Sequence, residues 1–127
     1  EYLEGGGMLF ADCGYPSFHN SFVSFISKVF PGKRLRVIAD DDPLFQMPYR
    51  FNNGPPALWH HGGHRCLGIK HKGRWCVFYH PGDINDAWKT GHNGVGSEAA
   101  RAAYQVGINV IYYSFTNYLA LTRKYRK

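Results

Sequence analysis

A chain of 127 residues, 44% hydrophobic and 17% aromatic with 19% charged, holds one domain with a real core and is neither a disordered tail nor a linker. Its net charge of +6 favours anionic partners in general, but the basic residues are dispersed along the sequence and cluster only from Arg123 to Lys127. A basic cluster at a chain end reads as a solvated tail, so no nucleic acid is expected, and membrane-surface contact through that tail is the alternative.

Glu1 to Glu4 reads as the last turn of a helix, stopped by Gly5, Gly6 and Gly7. Met8 to Asp12 is a short apolar strand, and Cys13 to Pro16 is a turn into a helix that begins near Ser17, whose hydroxyl suits an N-cap. In that helix Phe18, Phe22, Phe25, Ile26, Val29 and Phe30 share one face at three-and-four spacing, until Pro31-Gly32 stops it. Leu35, Val37 and Ala39 alternate with Arg36 and Ile38 as a strand that runs into Asp40, Asp41, Asp42 and Pro43. The Pro- and Gly-rich stretch from Gln46 to Gly63 reads as a long surface excursion.

Cys66 to Ile69 and Trp75 to Tyr79 make a hairpin around His71-Lys72-Gly73. Since only Gly73 readily takes positive φ, a three-residue loop is expected, with Lys70 opposite Arg74. Counting outward, Cys66 then faces Phe78 and His64 faces His80, with Cys76 on the same side and Leu67, Ile69, Trp75, Val77 and Tyr79 on the other. A short helix from Asn85 to Lys89 follows, then the loop Gly91 to Gly96, which lacks a phosphate-loop pattern, and Ser97 caps a final helix to about Lys124. Ile108 to Tyr113 is β-branched and aromatic enough to leave a strand as the alternative. Tyr112, Tyr113, Phe115 and Tyr118 on the final helix read equally as core or as an interface. Three irregularly spaced cysteines make no disulfide framework, and no run approaches the roughly 18 apolar residues of a membrane span.

Several motifs, in order, resemble one bacterial family, the domain of unknown function 4159. Tyr2 to Asp12 resembles its "YL-x-GG-x-LFAD" strand, Phe30-Pro31-Gly32 its "FPG" helix end, and Asp42-Pro43-Leu44-Phe45 its "HPIF" turn. Gly68-Ile69, Gly73-Arg74 and Val77-Phe78-Tyr79-His80-Pro81-x-Asp83 resemble "G-[IV]…GR…V-x-Y-S-P-x-D", and Gly107-Ile108-Asn109-Val110-Ile111-x-Tyr113 resembles "G-x-NV-x-x-Y". The resemblance implies a three-layer, flavodoxin-like α/β domain similar to class I glutamine-amidotransferase-like domains. It further implies that residues 1–127 are the C-terminal part of a larger domain lacking its first strands, from an exported protein. It implies no activity. This chain departs from the pattern in having Asp42 for the family's His and His80 for its Ser.

Three site readings compete. Cys13 follows a strand and precedes a helix, as a nucleophile would, and His80 with Asp83 at another strand end could supply base and orienting carboxylate. Against that enzyme, Asp12-Cys13-Gly14-Tyr15 lacks the Gly-x-Cys-x-Gly elbow. A zinc site could use His64, Cys66 and His80, helped by His60 or His61, although the spacing matches no established zinc pattern. Asp12, Cys13, Asp42 and Asp83 are expected around the carboxyl edge of the sheet as a ligand-binding set. By subtraction, the sequence points to a non-catalytic binding or protein-interaction domain. It needs no cofactor, and its partner is another protein chain or its own missing N-terminal segment.

Overall fold

The computed structural model describes residues 1–56, 65–89 and 96–125. In chain order they form β1 (Leu9–Asp12), α1 (Pro16–Val29), β2 (Arg36–Val37), a 3-10 turn (Pro43–Phe45), β3 (Leu67–His71), β4 (Arg74–His80), α2 (Ile84–Ala87) and α3 (Ser97–Tyr125). The strands form one mixed sheet in the order β1-β4-β3-β2, in which β1 runs parallel to β4 and the other neighbours are antiparallel. The chain is therefore α/β, with helices against both faces of a sheet.

Each face owns a core, because β4 is buried along its whole length and alternates its side chains between them. On one face Phe22 and Ile26 of α1, with Phe30 at its C-cap, pack on Ala11, Ile69, Val77 and Tyr79, the Phe22 ring stacked 4.4 Å from that of Tyr79. On the other, Ala103, Val106 and Val110 of α3 and Ile84 and Ala87 of α2 pack on Trp75 and Phe78, joined by Leu44 and Phe45 of the 3-10 turn. The closing motif of the sequence explains itself here. Gly107 lets Trp88 approach, since a Cβ would lie 2.9 Å from the indole, and buried Asn109 clamps the Tyr49 backbone, accepting its N–H at 3.0 Å and donating to its carbonyl at 2.7 Å.

The hairpin departs from expectation. Its loop has two residues, with His71 opposite Arg74, because Lys72 as well as Gly73 takes positive φ (50° and 80°), the geometry of the primed turns that match strand twist. A bulge follows: Lys70 faces Trp75 but Ile69 faces Val77, leaving Cys76 as the extra residue. The bulge exchanges the faces assigned to Trp75 and Cys76, and it moves the register so that Gly68, not Cys66, faces Phe78. Its cause is tertiary. The indole lies over Gly68, where a Cβ would stand 2.7 Å from the ring, and its Nε1–H donates to Asp42 at 2.9 Å. Two smaller points concern the ends. Glu1 to Gly7 holds a single turn, in which the Gly5 N–H donates to the Glu1 carbonyl at 2.8 Å and the chain leaves through Gly6 at a φ of 116°, the expected glycine stop; Arg74 holds it, its buried guanidinium donating to the Gly7 carbonyl at 2.9 Å and to that of Leu3. The strand expected over residues 35–39 pairs only at Arg36 and Val37.

Candidate functional site

The adjacent carboxyl ends of β1 and β4 gather most of the candidate residues. Asp12 stands beside His80 in the parallel ladder, the Cys13 N–H donates to the His80 carbonyl at 3.0 Å, and the Asp83 N–H donates to the Cys13 carbonyl at 3.1 Å. Asp12 accepts the first free amides of α2, from Ile84 at 2.8 Å and Asn85 at 3.1 Å, while Asp83 accepts that of Asp86 at 3.2 Å. Both carboxylates thus cap one short helix. Burial raises the Asp12 pKa above the ordinary carboxylate value, opposed by those amides.

Cys13 and His80 do not meet through their side chains. The Cys13 thiol is wholly buried on the α1 face and donates to the Tyr15 carbonyl at 3.3 Å. His80 follows Tyr79 in β4, so pleating turns it to the opposite face, where its Nδ1 accepts the Gly82 N–H at 3.1 Å. Burial lowers its pKa to about 4, so the ring is neutral and its Nδ1 is occupied by structure.

The polar groups near Cys13 are instead Tyr79 and His19. Burial first, then a hydrogen bond with Cys13, pushes the Tyr79 phenol above its ordinary value, and its oxygen lies 2.9 Å from His19 Nδ1. Sequence reasoning missed this cluster, because His19 and Tyr79 are sixty residues apart and His19 sits between two phenylalanines of a core helix. With the thiol out of solvent and the phenol between it and the imidazole, the cluster lacks the direct thiol–base contact of an activated nucleophile.

The other candidates are used otherwise. Asp42 is apart from the Asp12, Cys13 and Asp83 group: one oxygen accepts the Leu44 N–H at 3.0 Å and the other the Trp75 indole. Of the zinc set, His64, with His60 and His61, lies outside the described residues. The remaining two, Cys66 and His80, follow the last pair of the β3–β4 ladder, and burial pushes the Cys66 thiol up to about 12, which opposes the thiolate a metal needs. Among the described residues no group of three metal-ligating side chains gathers.

The largest exposed feature is α3. Between Arg101 and Arg123 it carries no charged residue. Its inner side builds the core, yet Tyr104, Ile108, Ile111, Phe115 and Tyr118 are exposed at alternating four-and-three spacing, flanked by exposed Tyr112 and Leu119; at the two ends of this row Tyr104 stacks on Trp88 and Tyr118 lies against Gly6. Four-and-three spacing is, in general, the pattern by which one helix packs on another. Tyr113, by contrast, turns inward, and its hydroxyl accepts the Trp75 N–H at 2.9 Å.

The model for a domain of unknown function, DUF4159, matches residues 1–115. The chain belongs to that family. The match spans both faces of the sheet and α3 as far as Phe115, so the capping carboxylates and the Asn109 clamp fall inside it. A search of the curated proteins gives no match. No helix among the described residues is long and apolar enough to cross a membrane.

Proposed function

We propose that this DUF4159 domain is a non-catalytic protein-interaction module whose docking element is the outer face of α3. The supporting observation is the exposed apolar seam. Seven side chains, each about half exposed, leave roughly 700 Å² open. The largest patch of an ordinary monomer is about 300–600 Å², and each partner in a standard interface buries roughly 800 Å². A helix with a second apolar row outside its core face buries that row against another element, and here that element is the helix of another polypeptide.

In the flavodoxin-like, amidotransferase-like frame suggested by the motifs, β1 is an inner strand. Its outer edge, unpaired among the described residues, is where further strands of this chain or of a partner join. The runner-up, a hydrolase or amidotransferase using Cys13 with His80 and Asp83, has less support because the thiol is buried, the imidazole faces away and the carboxylate caps a helix.

The test is the double variant Ile111→Lys with Phe115→Lys. Both positions are more than half exposed, so the fold should keep its stability within about 0.5 kcal/mol while binding of an apolar dye falls sharply. A loss of several kcal/mol would mean that these side chains belong to the core of this fold, and the interface reading would fall.

A further inference from the structure

Basic side chains that lie apart in the sequence are gathered by the fold beside β2. Residues 13–39 and 66–80, which supply α1, β2, β3 and β4, carry Lys33, Arg34, Arg36 and Lys70 among other cations and not one Asp or Glu. These four line one groove of about 310 Å³. A second groove, of about 430 Å³, adjoins it on the α1 face and shares Lys33 and Arg34. Its floor is aliphatic, from Val23 and Ile26 of α1, Leu35, and Leu67 of β3, and its size is that of a small-molecule pocket.

Three of the cations are held in place while keeping their charge. The Lys33 ammonium gives one of its three protons to the Lys70 carbonyl at 2.7 Å and stands 5.6 Å over the Phe30 ring. Lys70 and Arg36 lie over the Trp75 ring, at 4.8 Å and 5.9 Å. Arg34 is exposed and makes no ion pair among the described residues, so its guanidinium is open to fork onto a phosphate or carboxylate.

A cationic groove joined to an aliphatic trough calls for a ligand with an anionic head and an apolar chain. A bare anion would leave the trough wet, and an uncharged chain would leave the cations unused. Nucleic acid would find no Phe, Tyr or Trp in either lining on which to stack its bases. We infer that the joined grooves bind one single-chain amphiphilic anion, an alkyl phosphate or carboxylate. Its head lies on Arg34 and Lys33 and its chain runs along Val23, Leu35 and Leu67. Arg36 and Lys70 strengthen the field that draws the head in. The trough is on the α1 face, across the sheet from α3, and does not depend on the seam.

Isothermal titration calorimetry with decyl phosphate, kept below its micelle concentration, tests this. One molecule should bind per chain, about tenfold or more tighter than inorganic phosphate, which is the head alone, and than decyl maltoside, whose head is uncharged. Octyl phosphate should bind about fivefold or more weakly, since each buried CH₂ contributes about fourfold. Arg34→Glu should weaken decyl phosphate about tenfold or more, and Val23→Asn about threefold or more; both positions are exposed, so both variants fold. Arg50→Glu makes the same charge change at an exposed position outside both grooves and should leave binding unchanged. No saturable binding of decyl phosphate overturns the proposal, as does phosphate or decyl maltoside binding equally tightly. Association with phosphatidylglycerol vesicles but not with monomeric decyl phosphate would make the ligand a bilayer, which overturns the single-chain site. Binding that survives Arg34→Glu but is lost in the Ile111→Lys, Phe115→Lys protein belongs to α3 and overturns it as well.

Discussion

His80 offers the sharpest check on the reading of the sheet ends. In the fold its ring is buried, neutral and fixed by the Gly82 N–H, with a pKa lowered from 6.5 to about 4; in the unfolded chain it takes up a proton near 6.5. Between those values the unfolded state binds the extra proton, so stability is full above pH 6.5 and falls as the pH drops toward 4. At pH 5 the loss due to this one group is about 2 kcal/mol relative to pH 7, and it approaches about 3 kcal/mol at pH 4. His80→Asn keeps an acceptor for Gly82 but cannot protonate. Urea unfolding of both proteins at pH 7 and pH 5 isolates the contribution, because the other titrating groups cancel in the difference. The wild type should lose about 2 kcal/mol more than the variant over that interval. Equal losses would mean that the imidazole is solvated and free, which would return it to the list of possible bases.

The thiol of Cys13 should resist iodoacetamide in the native protein, reacting only as fast as the fold opens, and alkylation mapped by mass spectrometry at native rates near those of a free thiol would contradict its burial. Asn109→Ala leaves the N–H and carbonyl of Tyr49 without their protein partners and should cost about 2 kcal/mol in chemical denaturation; a cost below about 0.5 kcal/mol would show that the clamp is dispensable. Gly68→Ala places a Cβ 2.6 Å from the Val77 carbonyl and 2.7 Å from the Trp75 ring, and a loss of about 1–3 kcal/mol with changed indole fluorescence is expected. An unperturbed Gly68→Ala protein would refute the account of the bulge.

What could be read from the sequence was local. The apolar runs of β1 and β4 and the uninterrupted final helix follow from periodicity, as does the buried stripe of Phe22, Ile26 and Phe30, although Phe25 and Val29, expected on the same face, lie exposed; the capping duty of Asp83 follows from its place before a short helix. The hairpin register was not legible, because it rests on Lys72 accepting positive φ and on an indole that needs Gly68 and Asp42, residues from two other elements. The same holds for the candidate site. Strand ends place Asp12, Cys13 and Asp83 together and leave Asp42 apart, but which face a side chain takes depends on pleating, and that separated His80 from Cys13 and put Tyr79 and His19 there instead.

The central claim is that the outer face of α3 meets another polypeptide. A photo-activated cross-linking residue in place of Phe115, and in a second protein in place of exposed Asn20 on α1, tests it in cells of the source organism with adducts identified by mass spectrometry. The account predicts a discrete polypeptide adduct at position 115 that is absent at position 20 and lost when Ile111 is changed to Lys. No adduct at position 115, with the protein folded and the probe intact, would contradict it.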